Sequence, residues 1–476
     1  MIRKIAQPTI VATLLKDIYL LASPKLEGGW LELKDAYLVI DSNQIAFIGS
    51  KSDFESWLSA HPTTFEETVD ARHHVVLPGF VNCHHHLYQS LTRSIGTGEG
   101  KALFDWLKFL YPIWGRLTPE AVFTSAKLAL AELMLSGCTT VADHLYIFPD
   151  ACRLDDEIAA AKALGVRFHP TRGSMSLGEA KGGLPPDYLV EEEDAILEDS
   201  QRLIERYHDP DPLSMLRIGL APCSPFSVTP DLMKASAELA RSYNGVRLHT
   251  HLAETADETD FCLSLFNKRP LEYADSLGWT GDDVWFAHMV HPNSDEIKQL
   301  ACTASGVCHC PSSNMILASG TAPIRKMLDE GVRVGLGVDG SASNDSGHIL
   351  AEARQAMLLQ RVGYPGFVSS ADRFSAREAL RLATLGGAEV LGRQDIGRLE
   401  LGLAADIVGF RVDDIYHAGA LSDPLAALLT CHPVDVDFSF INGQLLIEDG
   451  SFDQLDLEPL IAEHNRLSKG LIQGGG

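Results

Sequence analysis

Between residues 77 and 395 short apolar runs alternate with longer stretches in which apolar positions recur at helical spacing. The runs are Gly79–Cys83, Cys138–Asp143, Val166–Thr171, Arg217–Pro222, Val246–His251, Val284–His288, Gly306–Cys310 and Arg333–Asp339. Between them lie amphipathic segments such as Pro119–Leu135, Ile158–Leu164, Asp231–Ser242, Ser294–Thr303 and Ile324–Glu330, several opened by Thr-Pro, Asp or Ser where a helix starts. Eight strand-helix units in succession predict an α/β protein built on a closed (β/α)8 TIM barrel. A doubly wound open sheet is the alternative. It is disfavoured because no Gly-rich phosphate loop follows the first run and polar residues fall at the ends of several different runs. In the eighth run Val332, Val334, Leu336 and Val338 share one face, expected to meet the helices. Arg333, Gly335, Gly337 and Asp339 share the other, which would aim Asp339 into the barrel mouth.

The flanks have a different texture. Ala36–Ile40 and Gln44–Ile48 near the start, and Asp406–Phe410, Ser439–Ile441 and Gln444–Ile447 near the end, are short β-type runs separated by turn residues. Asn442-Gly443 between the last two has the composition of a two-residue hairpin loop. Residues 1–76 and 396–476 are therefore expected to form one small discontinuous β-sandwich, with 77–395 as the hydrolase barrel. The loop Leu177–Leu189, with three glycines and two prolines, is expected to be a lid. The final three glycines are expected to be a frayed tail.

Composition narrows the function classes. Hydrophobic residues make up 45% and charged residues 22% of 476, as in a soluble globular enzyme. With 64 Asp+Glu against 39 Lys+Arg the formal charge is -25, which repels phosphate polymers and argues against nucleic acid as a partner. No stretch reaches the roughly 20 apolar residues of a membrane span. The nine scattered cysteines, with Cys308 and Cys310 in a C-x-C arrangement, are read as reduced thiols, and the cytoplasm is the expected compartment. A small-molecule substrate remains, and closed assemblies make a dimer or higher homo-oligomer the expected state.

The candidate chemistry sits at the ends of the runs. His84 and His86, two apart in an extended segment, point to one face and can grip one ion while His85 points away. His249 and His251 repeat that spacing in the fifth run, and spacing alone leaves them competing for the metal; Glu254 follows three residues on. Asp339 can ligate the metal and accept a proton from its water, and His288, ending the sixth run, can orient that water or polarise a substrate. Imidazole and carboxylate donors suit Zn²⁺, with Fe²⁺ or Mn²⁺ as alternatives.

Pro78-Gly79-Phe80-Val81-Asn82-Cys83-His84-His85-His86 resembles the metal motif of the amidohydrolase superfamily. Thr250-His251-Leu252-Ala253-Glu254, Ala287-His288, Gly335-Leu336-Gly337-Val338-Asp339 and Gly402-Leu403-Ala404-Ala405-Asp406-Ile407 follow in the order used by its cytosine-deaminase-like branch. The resemblance spans nearly the whole chain. It implies one Zn²⁺ per subunit held by His84, His86, His251 and Asp339, with Glu254 shuttling a proton to the substrate ring and His288 assisting the attacking water. Narrower likeness in Leu87–Arg93, Leu107–Trp114, Ala221–Val228 and Cys310–Met315 points to the deaminases of flat heterocycles, 8-oxoguanine foremost, with triazine hydrolases of the hydroxyatrazine type and guanine or isocytosine deaminases as alternatives. On that reading Gln89 bonds a ring carbonyl, Trp114 stacks on the ring, Arg172 binds a carbonyl oxygen and Cys223 lies against the ring edge.

Overall fold

The computed structural model describes residues 10–364 and 366–474, which divide into two compact units. One holds the described residues up to Gly79 together with Asp395–Gln454; the other holds Phe80–Gln394 and the residues from Leu455 onward.

The chain begins with β1 (Ile10–Pro24), β2 (Trp30–Asp41), β3 (Gln44–Ser50), β4 (Thr63–Asp70) and β5 (His74–Pro78). Eight strands of the larger unit follow: β6 (Phe80–Asn82), β7 (Cys138–Leu145), β8 (Arg167–Ser174), β9 (Gly219–Pro222), β10 (Arg247–Leu252), β11 (Val284–His288), β12 (Gly306–His309) and β13 (Arg333–Leu336). They close into a barrel in chain order, all neighbours parallel, with Leu336 of β13 opposite Asn82 of β6. Each of the eight expected runs supplies one strand. Two intervening helices start on Thr118-Pro119 and Thr229-Pro230, where each threonine hydroxyl accepts an amide of the first turn and the proline occupies a position that needs no donor.

The smaller unit gains β14 (Ile407–Arg411), β15 (Phe438–Ile441), β16 (Gln444–Glu448) and β17 (Ser451–Phe452). Its nine strands form one sheet in the order β17-β16-β15-β14-β5-β1-β2-β3, with β4 beside β1. Leu15, Leu38 and Ile45 from the first part and Ile407, Phe438 and Phe440 from the last share one apolar cluster, so both ends of the chain are needed to build this core. Asn442 and Gly443 at φ +52° and +79° make the expected hairpin.

The final segment departs from expectation. The helix Leu457–Gln473 lies in the barrel unit, not with the sheet. It buries Leu471 and His464; Ser468 Oγ donates to the Leu91 carbonyl at 2.6 Å, His464 Nε2 meets Ser90 Oγ at 3.0 Å, and Arg116 donates to the Leu471 carbonyl. An amphipathic helix must cover its apolar stripe, and the segment after β6 supplies the cover. Gly474 closes this helix in the left-handed region; Gly475 and Gly476 lie outside the described residues.

The faces of β13 are also reversed. A Cβ on Gly335 would come within 2.9 Å of Gly387 Cα and 2.8 Å of Cys83 Sγ, and one on Gly337 within 2.6 Å of Cys308 Sγ. The glycines, not the valines, form the face against the helical segment at Gly387, because only a surface without side chains permits so close an approach.

Candidate active site

His84 and His86 lie in the extended segment that continues β6, whose ladder with β7 is carried on by the His144 amide bonding the His85 carbonyl at 2.9 Å. His251 lies in β10, His288 ends β11, and Asp339 follows β13. His84, His86, His288 and Asp339 are buried, and His251 is half-buried.

Hydrogen bonds on the far side of each ring fix which nitrogen carries the proton. Carbonyl oxygens only accept, so His86 Nδ1, 2.7 Å from the His144 carbonyl, and His251 Nδ1, 2.7 Å from the Cys223 carbonyl, are both N–H donors. His249 Nδ1 likewise donates to the Trp285 carbonyl at 3.0 Å, leaving His249 Nε2 as a bare acceptor 2.8 Å from His84 Nδ1. His84 Nδ1 must therefore donate. All three rings present an unprotonated Nε2: that of His86 lies 3.1 Å from that of His251, and those of His84 and His86 lie 3.2 and 3.3 Å from Asp339 Oδ1.

Burial pushes His84 and His86 below the ordinary imidazole range and His251 down to about 3, so the rings stay neutral near pH 7. Burial alone would raise Asp339, but the adjacent His84, His288 and His86 hold it well below the usual carboxylate range. Three lone pairs and a carboxylate oxygen thus face one another with no proton between them, and His84 Nε2 has no hydrogen-bond partner. Such a set is repulsive unless a cation occupies its midst. The donor atoms of His84, His251, His288 and Asp339 lie within 4.8 Å of one another, as do those of His84, His86, His144 and His251. Three imidazoles and one carboxylate fit a borderline divalent ion with a position left for water.

Spacing left His249 and His251 as rivals; the structure separates them. His249 stacks on Trp285 with centroids 4.4 Å apart and stands behind His84, while His251 faces the cluster.

Strand alternation does not aim the remaining groups. Ala253, His288 and Asp339 have φ of +51°, +74° and +63°, a region that costs non-glycine residues of order 1 kcal/mol or more each. These left-handed turns swing Glu254, His288 and Asp339 into the mouth. His288 Nε2 lies 3.7 Å from Glu254 Oε2 and 3.8 Å from Asp339 Oδ2, and Asn314 Oδ1 accepts from its Nδ1 at 2.9 Å. Burial opposes charge on His288, yet Glu254 and Asp339 keep it above its ordinary value. Burial pushes the Glu254 carboxyl up to about 7, with Asp339 acting in the same direction and His288 against it.

A pocket opens over this cluster, bounded by Leu103, Trp106, Leu107, Phe226 and Leu317 on its apolar side and by Gln89, Tyr146, Cys223 and Ser343 on its polar side. Gln89 and Cys223 line it. Trp114 does not: it is fully buried behind the pocket, packed edge-on against Tyr88 and Trp106, with its indole N–H on Thr92 Oγ1. Trp106, on the same helical face eight residues earlier, is the tryptophan that lines the pocket. Arg172 is also absent from the lining. Its guanidinium is held by Glu191 and Asp199 and lies over the Phe148 ring. The loop Leu177–Leu189 supplies no lining residue either; its amides at Leu177 and Leu184 bond the carbonyls of Ser227 and Phe226, so it braces Phe226 from outside. Tyr146, Leu317 and Ser343 were not foreseen, since each joins the pocket only through the order of the barrel strands, and Phe226 lay within the recognised Ala221–Val228 motif without an assigned role. Asn314 lay within a recognised motif but carried no assigned role.

Bare imidazole nitrogens and a carboxylate at the C-terminal mouth of a (β/α)8 barrel, beside a buried acid and an enclosed pocket, define a metal-dependent hydrolase. The chain belongs to the amidohydrolase family, whose model it matches over residues 75–446. It is 51% identical over 407 residues to 8-oxoguanine deaminase of Pseudomonas aeruginosa, covering 85% of this chain and 89% of that one. It is 36% identical to hydroxydechloroatrazine ethylaminohydrolase of a Pseudomonas species, covering 86% and 85%. Among solved structures it resembles atrazine chlorohydrolase of Arthrobacter aurescens complexed with zinc, with a TM-score of 0.89, 36% identity and coverage of 96% and 100%.

Proposed function

We propose that this chain is a zinc-dependent deaminase of a flat, uncharged heterocyclic base, converting 8-oxoguanine and water to urate and ammonia. The 51% identity to 8-oxoguanine deaminase over most of both chains carries the substrate assignment. His84, His86, His251 and Asp339 would hold the ion. When bound, Zn²⁺ supplies Lewis acidity and a water whose pKa falls to about 7.

The chain's own groups then divide the proton traffic. Asp339 and His288, 3.8 Å apart, accept the proton released as water adds to the ring carbon bearing the exocyclic amine. Glu254, kept protonated to about pH 7 by its burial, donates to the adjacent ring nitrogen. The ring therefore gains its new C–O bond without accumulating charge; as the C–N bond breaks, the proton held by Asp339 and His288 passes to the departing amine, the new hydroxyl returns a proton to Glu254, and ammonia leaves. Trp106 and Phe226 cover the ring, and the Gln89 amide oxygen, buried without a partner, accepts from a ring N–H. No Lys or Arg among the described residues lines the pocket, which suits a neutral free base and gives a phosphate no counter-charge.

The compartment and assembly state belong to the same proposal. All nine cysteines are free thiols, in keeping with a reducing cytoplasm, and no helix among the described residues is long and apolar enough to cross a membrane. A dimer or higher assembly rests on the general preference for closed symmetry.

Ammonia release is to be measured from zinc-loaded protein offered 8-oxoguanine, guanine, isocytosine and hydroxyatrazine. Preference for 8-oxoguanine with urate as product, strongly reduced but still measurable in Glu254→Gln, supports the proposal. Amine release from the triazine alone would transfer the function to the second reading, which the triazine-type relative and the zinc-complexed atrazine chlorohydrolase favour.

A further inference from the structure

Glu258 is buried on the helix Ala256–Phe266 and is not among the residues lining the pocket. Thr255 caps this helix, its hydroxyl accepting the Glu258 amide at 3.3 Å. In an ordinary capping box the glutamate would return to the amide of the cap residue. Here it passes over Thr255: Oε1 accepts from the Ala253 amide at 2.8 Å and Oε2 from the Glu254 amide at 2.7 Å. One carboxyl group thus grips two consecutive amides upstream of the helix it sits on.

The first of the gripped residues is under strain. Ala253 holds φ +51°, and its carbonyl is clamped from the opposite side by the amides of Val290 and His291, both at 2.9 Å. The Met289 amide bonds the Leu252 carbonyl at 3.1 Å, tying the turn to the one that carries His288. A left-handed alanine relaxes toward the extended region unless its neighbours over-determine it. Among the described residues, the two bonds from Glu258 are the only side-chain hydrogen bonds on the Ala253 and Glu254 amides.

We infer that Glu258 is a positioning residue for the proton donor: by fixing the amides of Ala253 and Glu254 it holds the strained turn and aims the Glu254 carboxyl at the pocket. The inference rests on the proton-donor role proposed for Glu254. Glutamine at 258 keeps the size of the side chain and one acceptor oxygen but turns an N–H₂ toward the second amide, so the turn loses one of its two bonds while the helix keeps its Thr255 cap.

Two measurements on Glu258→Gln test this. In a crystal structure of the zinc-loaded variant the Glu254 carboxyl is expected to leave its position beside His288 while His251 and Asp339 stay in place. An unmoved Glu254 would overturn the inference whatever the substrate proves to be. In turnover, kcat is expected to fall roughly ten- to hundredfold, the range for misplacement of a reacting group, with zinc content unchanged and KM altered less than about threefold. Repeated in a Glu254→Gln background, the same substitution is expected to have no further effect, since the two act as one unit. An equal loss in both backgrounds would mean that Glu258 serves only the fold, and would overturn the inference. If the unmodified protein releases ammonia from none of the bases, the proposed function fails, and the crystallographic result alone decides the role of Glu258.

Discussion

Replacement of His249 by phenylalanine isolates the orientation of a ligand from ligation itself. The substitution keeps a flat ring against Trp285, where the centroids are 4.4 Å apart and the planes 15° from parallel, and removes the nitrogen 2.8 Å from His84 Nδ1. His84 is then left with two poor choices. It keeps its proton on Nδ1, buried with no acceptor, or moves it to Nε2 and loses the lone pair aimed at the ion. A buried donor without a partner costs about 1–3 kcal/mol. At 1.4 kcal/mol per decade this is about 10- to 100-fold in zinc affinity, the range found for outer partners of metal-bound histidines. The partners of His86 and His251 are backbone carbonyls that no substitution removes, so position 249 is where the effect can be read alone. Competition with a chelating indicator at neutral pH gives the affinity. A value equal to that of the unmodified protein would refute the orienting role. A loss as deep as that of His251→Ala would make His249 a ligand and refute the assignment of tautomers from which the prediction was built.

Two further outcomes follow from the pocket and the barrel. Trp106→Ala is expected to raise KM with little change in melting temperature, whereas Trp114→Ala, emptying a fully buried site, is expected to cost about 3–5 kcal/mol in a denaturant titration while leaving KM near its original value. Asp143 on β7 and Glu157 on the helix Leu154–Leu164 are a buried carboxyl pair; burial pushes Asp143 up to about 7 and Glu157 well above its usual value. Both pKa values are higher folded than unfolded, so the pair's contribution is complete below about pH 4 and is lost as pH rises through 7. Melting temperature should therefore fall between pH 5 and 8 more steeply in the unmodified protein than in Glu157→Gln, and parallel curves would exclude the pair as the cause.

The barrel was legible because each parallel strand is a compact apolar run bounded by helical periodicity, and the candidate ligands were legible because two imidazoles two residues apart have few other uses. The faces of β13 were misread for a physical reason: close packing of Gly335 on Gly387 reverses the rule that the bulky apolar set meets the helices. Asp339 nevertheless reaches the mouth through its left-handed backbone, which no alternation pattern reports. Trp106 and Trp114 share one helical face, so periodicity nominates both, and only depth along the helix separates the pocket wall from its backing. Arg172, expected just after the third run, lies inside β8, and the acidic partners that hold its guanidinium come from residues 191 and 199.

The helix Leu457–Gln473 sets the order in which the site can be completed. His464 meets Ser90 across 374 residues of sequence, and Ser468 fastens Leu91 across 377, in the short helical segment that directly follows His86 and carries Gln89. During synthesis the histidine pair leaves the ribosome long before the helix that secures its neighbourhood exists. The nascent barrel must therefore carry an unfinished first loop, with histidines able to capture metal but lacking their final support, until residues 457–473 have been translated. A protease cut or a substitution within Leu457–Gln473 would then strike the chemistry from a helix far from it in sequence.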